Sequence, residues 1–554
     1  MTELTDGVDV EAAVRELVVD LMVEPRGRVS PSVYETGRVV THAPWLVGHA
    51  ARLRYLAAAQ RPDGGWGGPD GYALAPTLSA VEALLATLRR YDAGAERVVP
   101  ANRLLKAADR GLAMLASQAW GRGSLSTPDM PAVDLIVPAL TDAVNDHLDR
   151  LAAEPLEGLD QWAGRRLALP SGMDHRRLHG VRALLRGGGR VPTKLLHALE
   201  VAHDLAARAP GISPLPFGTI GASPAATAAW LAAAPPPDAY DPARRYLEGV
   251  ARQQRGPVPC AAPIAVFERA WALGWLAQAG VPMTVPDALL LSLRAATHPG
   301  GTPAGPGLPS DADTTSMALY TLGLLGVRYE PHSLWAYETD SHFCTWQGED
   351  GESATVNAHV LEAFGQHVAM SGGRAVQRYA PTMGKVTSWL CGGQLPDGRW
   401  LDRWHASPYY ATASCALALD RFGVGRPAIV AVDRAVEWAL ATQRPDGSWG
   451  WRDGTAEETA YAMRILLTRF SPVVEHAVRR AYSYLRRSIR TRAGRRSTDP
   501  PQWHDKDLYL PVLIVRAAVL AALYQAQHRL GVDAVRKMSD VDKDEGLRGA
   551  STRC

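Results

Sequence analysis

Cysteine is scarce in this chain: five in 554 residues (Cys260, Cys344, Cys391, Cys415 and Cys554), odd in number and never spaced as CxxC. That pattern argues against a disulfide framework and against a structural zinc site. No run of about 18 apolar residues occurs, so no segment is expected to span a bilayer. The N-terminal MTELTDGVDVEAAV has no basic stretch followed by an apolar core, so no signal peptide is expected and the expected location is cytoplasmic. A net charge of +2 gives no bulk argument for binding nucleic acid or an anionic membrane surface. Phenylalanine is rare at 6 residues, whereas tryptophan reaches 16, which leaves large π faces available for more than routine packing. Strand alternation is almost absent.

Helix is what the sequence does contain. TLSAVEALLATLRRY (77–91), KLLHALEVAHDLAARA (194–209), VFERAWALGWLAQAG (266–280) and DLYLPVLIVRAAVLAALYQAQHRLG (507–531) all repeat apolar residues at three- and four-residue spacing. Gly, Pro and Asp punctuate them, and the reading is an all-α protein. A chain of this length exceeds the roughly 250–300 residues of one core, so at least two domains are expected.

Three segments repeat one another: QRPDGGWG (60–67), QLPDGRW (394–400) and QRPDGSWGW (443–451). Each joins the end of one helix to the start of an apolar one. Pro-Asp-Gly makes a tight turn, and the flanking Gln and Trp are placed to pin it to neighbouring helices. The repeats report fold rather than chemistry and predict two toroids of paired helices, αα-barrels. The expected boundaries are an N-terminal segment 1–35 that helps close the second toroid, a first toroid over 36–265, a second over 266–535, and a charged, frayed tail over 536–554.

One loop does not fit a purely structural reading. LPSDADTTSMALYTL (308–322) places Asp311 and Asp313 one residue apart, then Thr314 and Thr315, directly before an apolar helix. Taken alone, the loop reads as a helix N-cap or a metal loop.

With the turn repeats, this loop resembles the class II terpene cyclases, enzymes that begin cyclisation by protonating an isoprenoid. DADTT stands where that family usually has Asp-x-Asp-Asp. SPSVYETGRVV, WLVGHAARLRYLAAAQRPDGGWG, PDMPAVDLIVPAL, TKLLHALE, GTIGASPAATAAWL, VFERAWALGWLAQAG, WLDRWHASPYYATASCALAL and DGSWGWRDGTAEETAYAM match further blocks in the same order. The resemblance implies two αα-barrels, termed γ (36–265) and β (266–535), with the active site between them. Bifunctional relatives add a domain that ionises the diphosphate at Asp-Asp-x-x-Asp. That motif is absent from this sequence, so the product is expected to keep its diphosphate.

Protonating an alkene needs a carboxylic acid held neutral in a water-poor pocket, where burial disfavours the charged form. The resemblance assigns that role to Asp313, with Asp311 bonded to it and Asn357 orienting it. Thr314 replaces the family's last acid, and a hydroxyl cannot supply a second charge. Trp271, Trp275, Trp346, Tyr409 and Tyr461 are candidates to stabilise the carbocation through their ring faces. His197 aligns with a proton-accepting histidine of plant copalyl diphosphate synthases, but Cys260 stands where its asparagine partner would be. Arg403, and less directly Arg176 and Arg177, are candidates for the diphosphate. Asp134 takes the position of an acid associated with Mg²⁺, an ion satisfied by one or two carboxylates plus phosphate oxygens.

The reading is an intramolecular cyclase of a linear prenyl diphosphate, monomeric or homodimeric. The DxDTT variant is similar to bacterial drimenyl diphosphate synthases, implying farnesyl diphosphate (C15) as substrate. The alternative is a C20 enzyme making a copalyl- or halimadienyl-type diphosphate from geranylgeranyl diphosphate. A squalene–hopene type cyclase and a non-catalytic toroid that binds a partner stay open as well.

Overall fold

The computed structural model describes residues 9–117, 127–232, 238–372, 375–492 and 499–531; the expected tail at 536–554 lies outside the described residues. Among the described residues, six inner helices of the C-terminal half form a closed ring. They are Ala265–Gln278, Ala312–Leu324, Ala354–Met370, Pro408–Phe422, Ala456–Leu466 and Val512–Leu530, each packed on the next and the last on the first. These helices are apolar on nearly every face because both sides are covered, the inner by the ring and the outer by a second layer. Asp287–Ala296, Val376–Gly392, Arg426–Ala441 and Pro472–Arg492 supply much of that layer. Val10–Val23, from the N-terminus, fills the place against Val512–Leu530 and Ala265–Gln278. Its Val10, Val14, Leu17, Val18 and Leu21 join the core of residues 260–526.

The N-terminal half repeats the scheme less regularly. Val33–His42, Leu74–Asp92, Val133–Arg150, a 3-10 segment Leu199–Ala206 and Pro224–Leu231 form the inner wall, with His49–Ala58, Ala101–Ser117, Arg176–Arg186 and Pro242–Gln253 outside. One described stretch, Asp70–Asp92, is long and apolar enough to cross a membrane by length and composition, and 89% of its most apolar 18-residue window is buried inside this wall.

Two expected helices are broken. The stretch 194–209 is not one helix: Thr193–Leu196 gives way to the 3-10 segment, with His203 at φ 52° interrupting it. Side-chain bonds pull it out of register, since His197 Nδ1 lies 2.7 Å from Gly221 O and Tyr34 donates to Glu200 at 2.8 Å. The helix expected from 507 begins only at Val512. Pro511 disfavours helix in the residue before it, and Leu508–Tyr509 instead pairs antiparallel with Trp503–His504.

The three turn repeats form one structure three times. Gln60, Gln394 and Gln443 each bond the turn glycine's carbonyl and a carbonyl of the following outer helix, at 2.8–3.1 Å. Trp66, Trp400 and Trp449 each donate Nε1–H to the preceding helix at 2.7–2.8 Å. The turn glycine must be glycine: Gly398 sits at φ 100°, and a methyl group there would stand 2.3 Å from Arg434 O. Gly398→Ala is expected to lower stability by about 2–4 kcal/mol, read as a fall in Tm. Gly393→Ala, where the nearest atom would lie at an ordinary 3.6 Å, should stay within about 0.5 kcal/mol of the parent. Equal effects of the two changes would contradict this account of the turn.

Candidate active site

A cavity of about 800 Å³ opens where the two halves meet, at the N-terminal ends of the second ring's inner helices. The first half contributes residues 129–135, 177–184 and 194–198. The second contributes Cys260, Phe267, Asp311, Asp313, Thr314, Trp346, Arg403, Trp404, Tyr410 and the loop around 503–509.

Asp311 ends its strand pair and caps the helix that follows. Its carboxylate accepts from Thr314 N at 2.6 Å and Thr314 Oγ1 at 2.9 Å. Burial nevertheless pushes its pKa up to about 7, with the neighbouring Asp313 charge adding to the rise. Asp313, two residues on in the first helical turn, lines the cavity with its side chain 15% exposed. Its Oδ1 lies 2.6 Å from His359 Nδ1. Burial works against a charge on His359, but Asp313 outweighs it and the imidazole pKa is raised. His359 therefore occupies the position expected for Asn357. Asn357 makes no bond to Asp313: its amide accepts from Phe343 N and donates to the carbonyls of Phe343 and Ser353. The two residues lie two apart on one helix, so they face different directions, and only His359 points at the acid.

The aromatic wall also differs from expectation. Trp346 lines the cavity, but at its rim, with the Lys194 ammonium 3.8 Å above its ring. Trp271 and Trp275 follow Phe267 at four-residue steps along one helix face, and only Phe267, nearest the N-terminus, reaches the cavity. Trp271 is buried below it, donating to Tyr410 Oη at 2.9 Å, and Trp275 lies deeper, under the Arg464 guanidinium. Tyr409 turns outward onto Trp438, whereas its neighbour Tyr410 faces the cavity. Tyr461 is fully buried, its hydroxyl on Glu457 at 3.2 Å. The wall itself is made of Phe267, Trp404, Tyr410, Trp503 and Tyr509. Trp503 and Tyr509 face each other in the short antiparallel pair of 503–504 with 508–509, where 507–531 was expected to be helical.

Cations collect at one side of the mouth. Arg403 pairs with Asp129 at 2.7 Å, and Arg177 contacts Asp134. Lys194 pairs with Glu349 at 2.6 Å. Arg176 points away, 91% exposed and paired with its own neighbour Asp174. Four cavity residues hold buried polar atoms without a partner: Arg403 Nε, Trp404 Nε1, His504 Nε2 and Thr345 Oγ1. A polar ligand group would satisfy such atoms. Among the described residues no group of three or more His, Cys, Asp or Glu side chains could hold a metal by itself. Asp134 and Asp129 both line the cavity, each paired with an arginine.

On another part of the wall, His197 Nε2 lies 2.9 Å from Asp505 Oδ1, while its Nδ1 faces Gly221 O. Burial opposes its charge, but Asp505 wins and the pKa is raised. Both ring nitrogens thus face acceptors, so His197 is held as a donor. Asp505 is the basic member of the pair; burial alone would raise its pKa, but His197 and Lys506 hold it low. Cys260, at the position expected for asparagine, is buried beside Asp505 and lines the same wall.

Residues 348–492 match the squalene-hopene cyclase C-terminal domain family. The chain is 40% identical over 526 residues to an ent-copalyl diphosphate synthase of Streptomyces sp. (strain KO-3988), covering 95% of this chain and 98% of that protein. It is also 40% identical over 529 residues to a labda-7,13-dienyl diphosphate synthase of Streptomyces clavuligerus, covering 94% of each. The solved structure of ent-copalyl diphosphate synthase from Streptomyces platensis superposes with a TM-score of 0.87 at 43% identity, over 94% of this chain and 100% of that one.

Proposed function

The chain belongs to the class II terpene cyclases, and from that premise we propose that it cyclises geranylgeranyl diphosphate to a bicyclic diphosphate of the copalyl type, with the diphosphate retained. The observation that carries this is the Asp313–His359 contact at 2.6 Å on an aromatic-lined cavity whose rim carries Arg403, Arg177 and Lys194. The C15 expectation gives way to its C20 alternative. It rested on Thr314, whose hydroxyl bonds Asp311 and so belongs to the acid's own surroundings rather than to a wall that measures chain length. The relatives at about this identity over nearly the whole chain carry the names of copalyl and labdadienyl diphosphate synthases, which are C20 products.

In this reading the diphosphate rests against Arg403, Arg177 and Lys194. Asp134 and Asp129 would hold Mg²⁺ there, an ion that screens phosphate charge when bound. His359 donates to Oδ1 of Asp313, leaving Oδ2 to carry the transferable proton. The imidazolium then stabilises the carboxylate that forms when the terminal alkene takes that proton. The faces of Phe267, Trp404, Tyr410, Trp503 and Tyr509 stabilise the travelling cation without reacting as bases. A carbocation is so strong an acid that even an acidic carboxylate can accept its proton, which suits Asp505 better than the doubly engaged His197. The described cysteines, Cys260, Cys344, Cys391 and Cys415, are all free thiols, which supports a reducing, cytoplasmic setting.

The test is incubation with Mg²⁺ and either geranylgeranyl or farnesyl diphosphate, followed by dephosphorylation and mass spectrometry. A bicyclic C20 alcohol from the first is expected. Efficient cyclisation of farnesyl diphosphate alone would overturn the reading.

A further inference from the structure

One layer behind the aromatic wall sits a carboxylate with no role in the steps above. Glu457 stands in the first turn of Ala456–Leu466 and is fully buried. Three donors converge on its Oε1: Trp503 Nε1 at 2.7 Å, Tyr461 Oη at 3.2 Å and His405 Nε2 at 3.3 Å. His405 Nδ1 accepts from Ser407 N at 3.0 Å, so the ring carries its one proton on Nε2 and is neutral. Among the described residues no lysine or arginine pairs with Glu457, and its Oε2 has no partner. Its negative charge is favoured instead by the three donors and by the helix N-terminus on which it lies.

A wall that needed only rings would not need a charge behind it. Burying a carboxylate without a counter-ion lowers stability, and an uncharged amide would satisfy the same three donors. The rings around Glu457 are those that face the cavity or back them. Trp503 meets Phe267 edge-on with centroids 5.6 Å apart and lies 4.6 Å from Tyr410. His405 stacks on Tyr410 at 4.8 Å, and Tyr461 meets Tyr410 edge-on at 5.3 Å. Along the wall this group lies between the acid and the base. Tyr410 is within electrostatic reach of Asp313, and Tyr509, paired with Trp503, is within reach of both Asp313 and Asp505. An indole that donates its N–H to a carboxylate gains electron density, so a cation over its face is held by the ring and by the charge behind it. In the protein interior that attraction is far less screened than in water.

We propose that Glu457 is the buried counter-charge of the cyclisation, a positioning residue that fixes the Trp503 indole and makes its face more negative along the path of the carbocation from Asp313 to Asp505. The inference rests on the protonation-initiated reading above. Glu457 takes no proton and forms no bond with substrate, because Trp503 stands between its oxygens and the cavity. Its charge acts on the cation and hardly at all on the neutral chain of the bound substrate. It therefore raises kcat and leaves KM alone.

The test is the full-length Glu457→Gln protein assayed with Mg²⁺ and geranylgeranyl diphosphate, beside Trp503→Phe and the double variant. Glutamine keeps an acceptor for the three donors and removes only the charge. Expected is a kcat lowered about tenfold or more at unchanged KM, with monocyclic diphosphate from early proton loss among the products. In the Trp503→Phe background the same change should cost less than about threefold, because the charge acts through that indole. Trp503→Phe alone should reproduce the loss and the early product, and it carries the test should the amide variant not fold. Wild-type kcat and product ratio in either single variant overturn the proposal. So does an equal cost in both backgrounds. A lower kcat matched by a lower Tm, with the product ratio unchanged, overturns it as well, since that is what a merely structural role would give. Wild-type protein that forms no cyclic product from this substrate refutes the parent reading, and this one with it.

Discussion

Asp313→Asn is expected to lower kcat for cyclisation by about 10³-fold or more while leaving KM and Tm close to the parent values. The substitution is nearly isosteric, and its amide oxygen can still accept from His359 Nδ1, now 2.6 Å from Oδ1. It lacks only a transferable acidic proton. Because Asp313 sits in the first turn of Ala312–Leu324 and Asp311 supplies the cap, the change leaves the helix start intact. In the proposed reading, substrate binding depends on Arg403, Arg177 and Lys194 at the rim and on the aromatic wall, which Asp313 does not build. The assay is product formation after dephosphorylation, beside substrate binding measured by calorimetry and a thermal melt. Residual activity within about tenfold of the parent would remove Asp313 from the role of proton donor and leave it as part of a cap.

How far the site is legible in the sequence depends on whether a residue's role is local. Asp311, Asp313 and Thr314 could be identified because their chemistry lies within one loop and one helical turn. The turn repeats could be read for the same reason, since Gln, Gly and Trp act within about a dozen residues of each other. The orienting group could not be. Asn357 and His359 both sit in an apolar helix, and only the packing of Ala354–Met370 on Ala312–Leu324 decides which of them meets Asp313. A histidine inside an otherwise apolar helix was the available signal. Aromatic identity was equally ambiguous: Phe267, Trp271 and Trp275 share one face, and depth along the barrel selects the shortest of them for the cavity. The loop holding Trp503, Asp505 and Lys506 has no period at all. Its meaning comes from contacts with residues around 30, 200 and 223, hundreds of positions away.

That loop makes Lys506→Met the substitution with the largest expected effect on stability. The Lys506 ammonium is fully buried and donates to His197 O at 2.7 Å, Glu200 Oε1 at 2.9 Å and Ser223 Oγ at 2.9 Å, and it also contacts Glu35. Burial alone would lower its pKa, but Glu200 and Glu35 outweigh that and raise it, so it is charged. Glu35 and Glu200 belong to the first half, and Lys506 brings them against the second. Removing one partner of such a set leaves buried carboxylates uncompensated, at about 3–5 kcal/mol. The pH dependence has a definite sign. Burial raises the folded pKa of Glu35 from 4.5 to about 7 even with Lys506 present, and loss of the ammonium raises it further. A carboxyl whose folded pKa exceeds its unfolded value stabilises the fold when protonated, and that contribution is lost as pH rises through the folded pKa. The deficit of Lys506→Met relative to the parent should therefore be largest near pH 8 and shrink toward pH 6, as Glu35 takes up the proton that replaces the missing charge. Parallel thermal melts across that range measure it. A deficit that stays constant or grows on acidification would mean that the ammonium does not hold these carboxylates together.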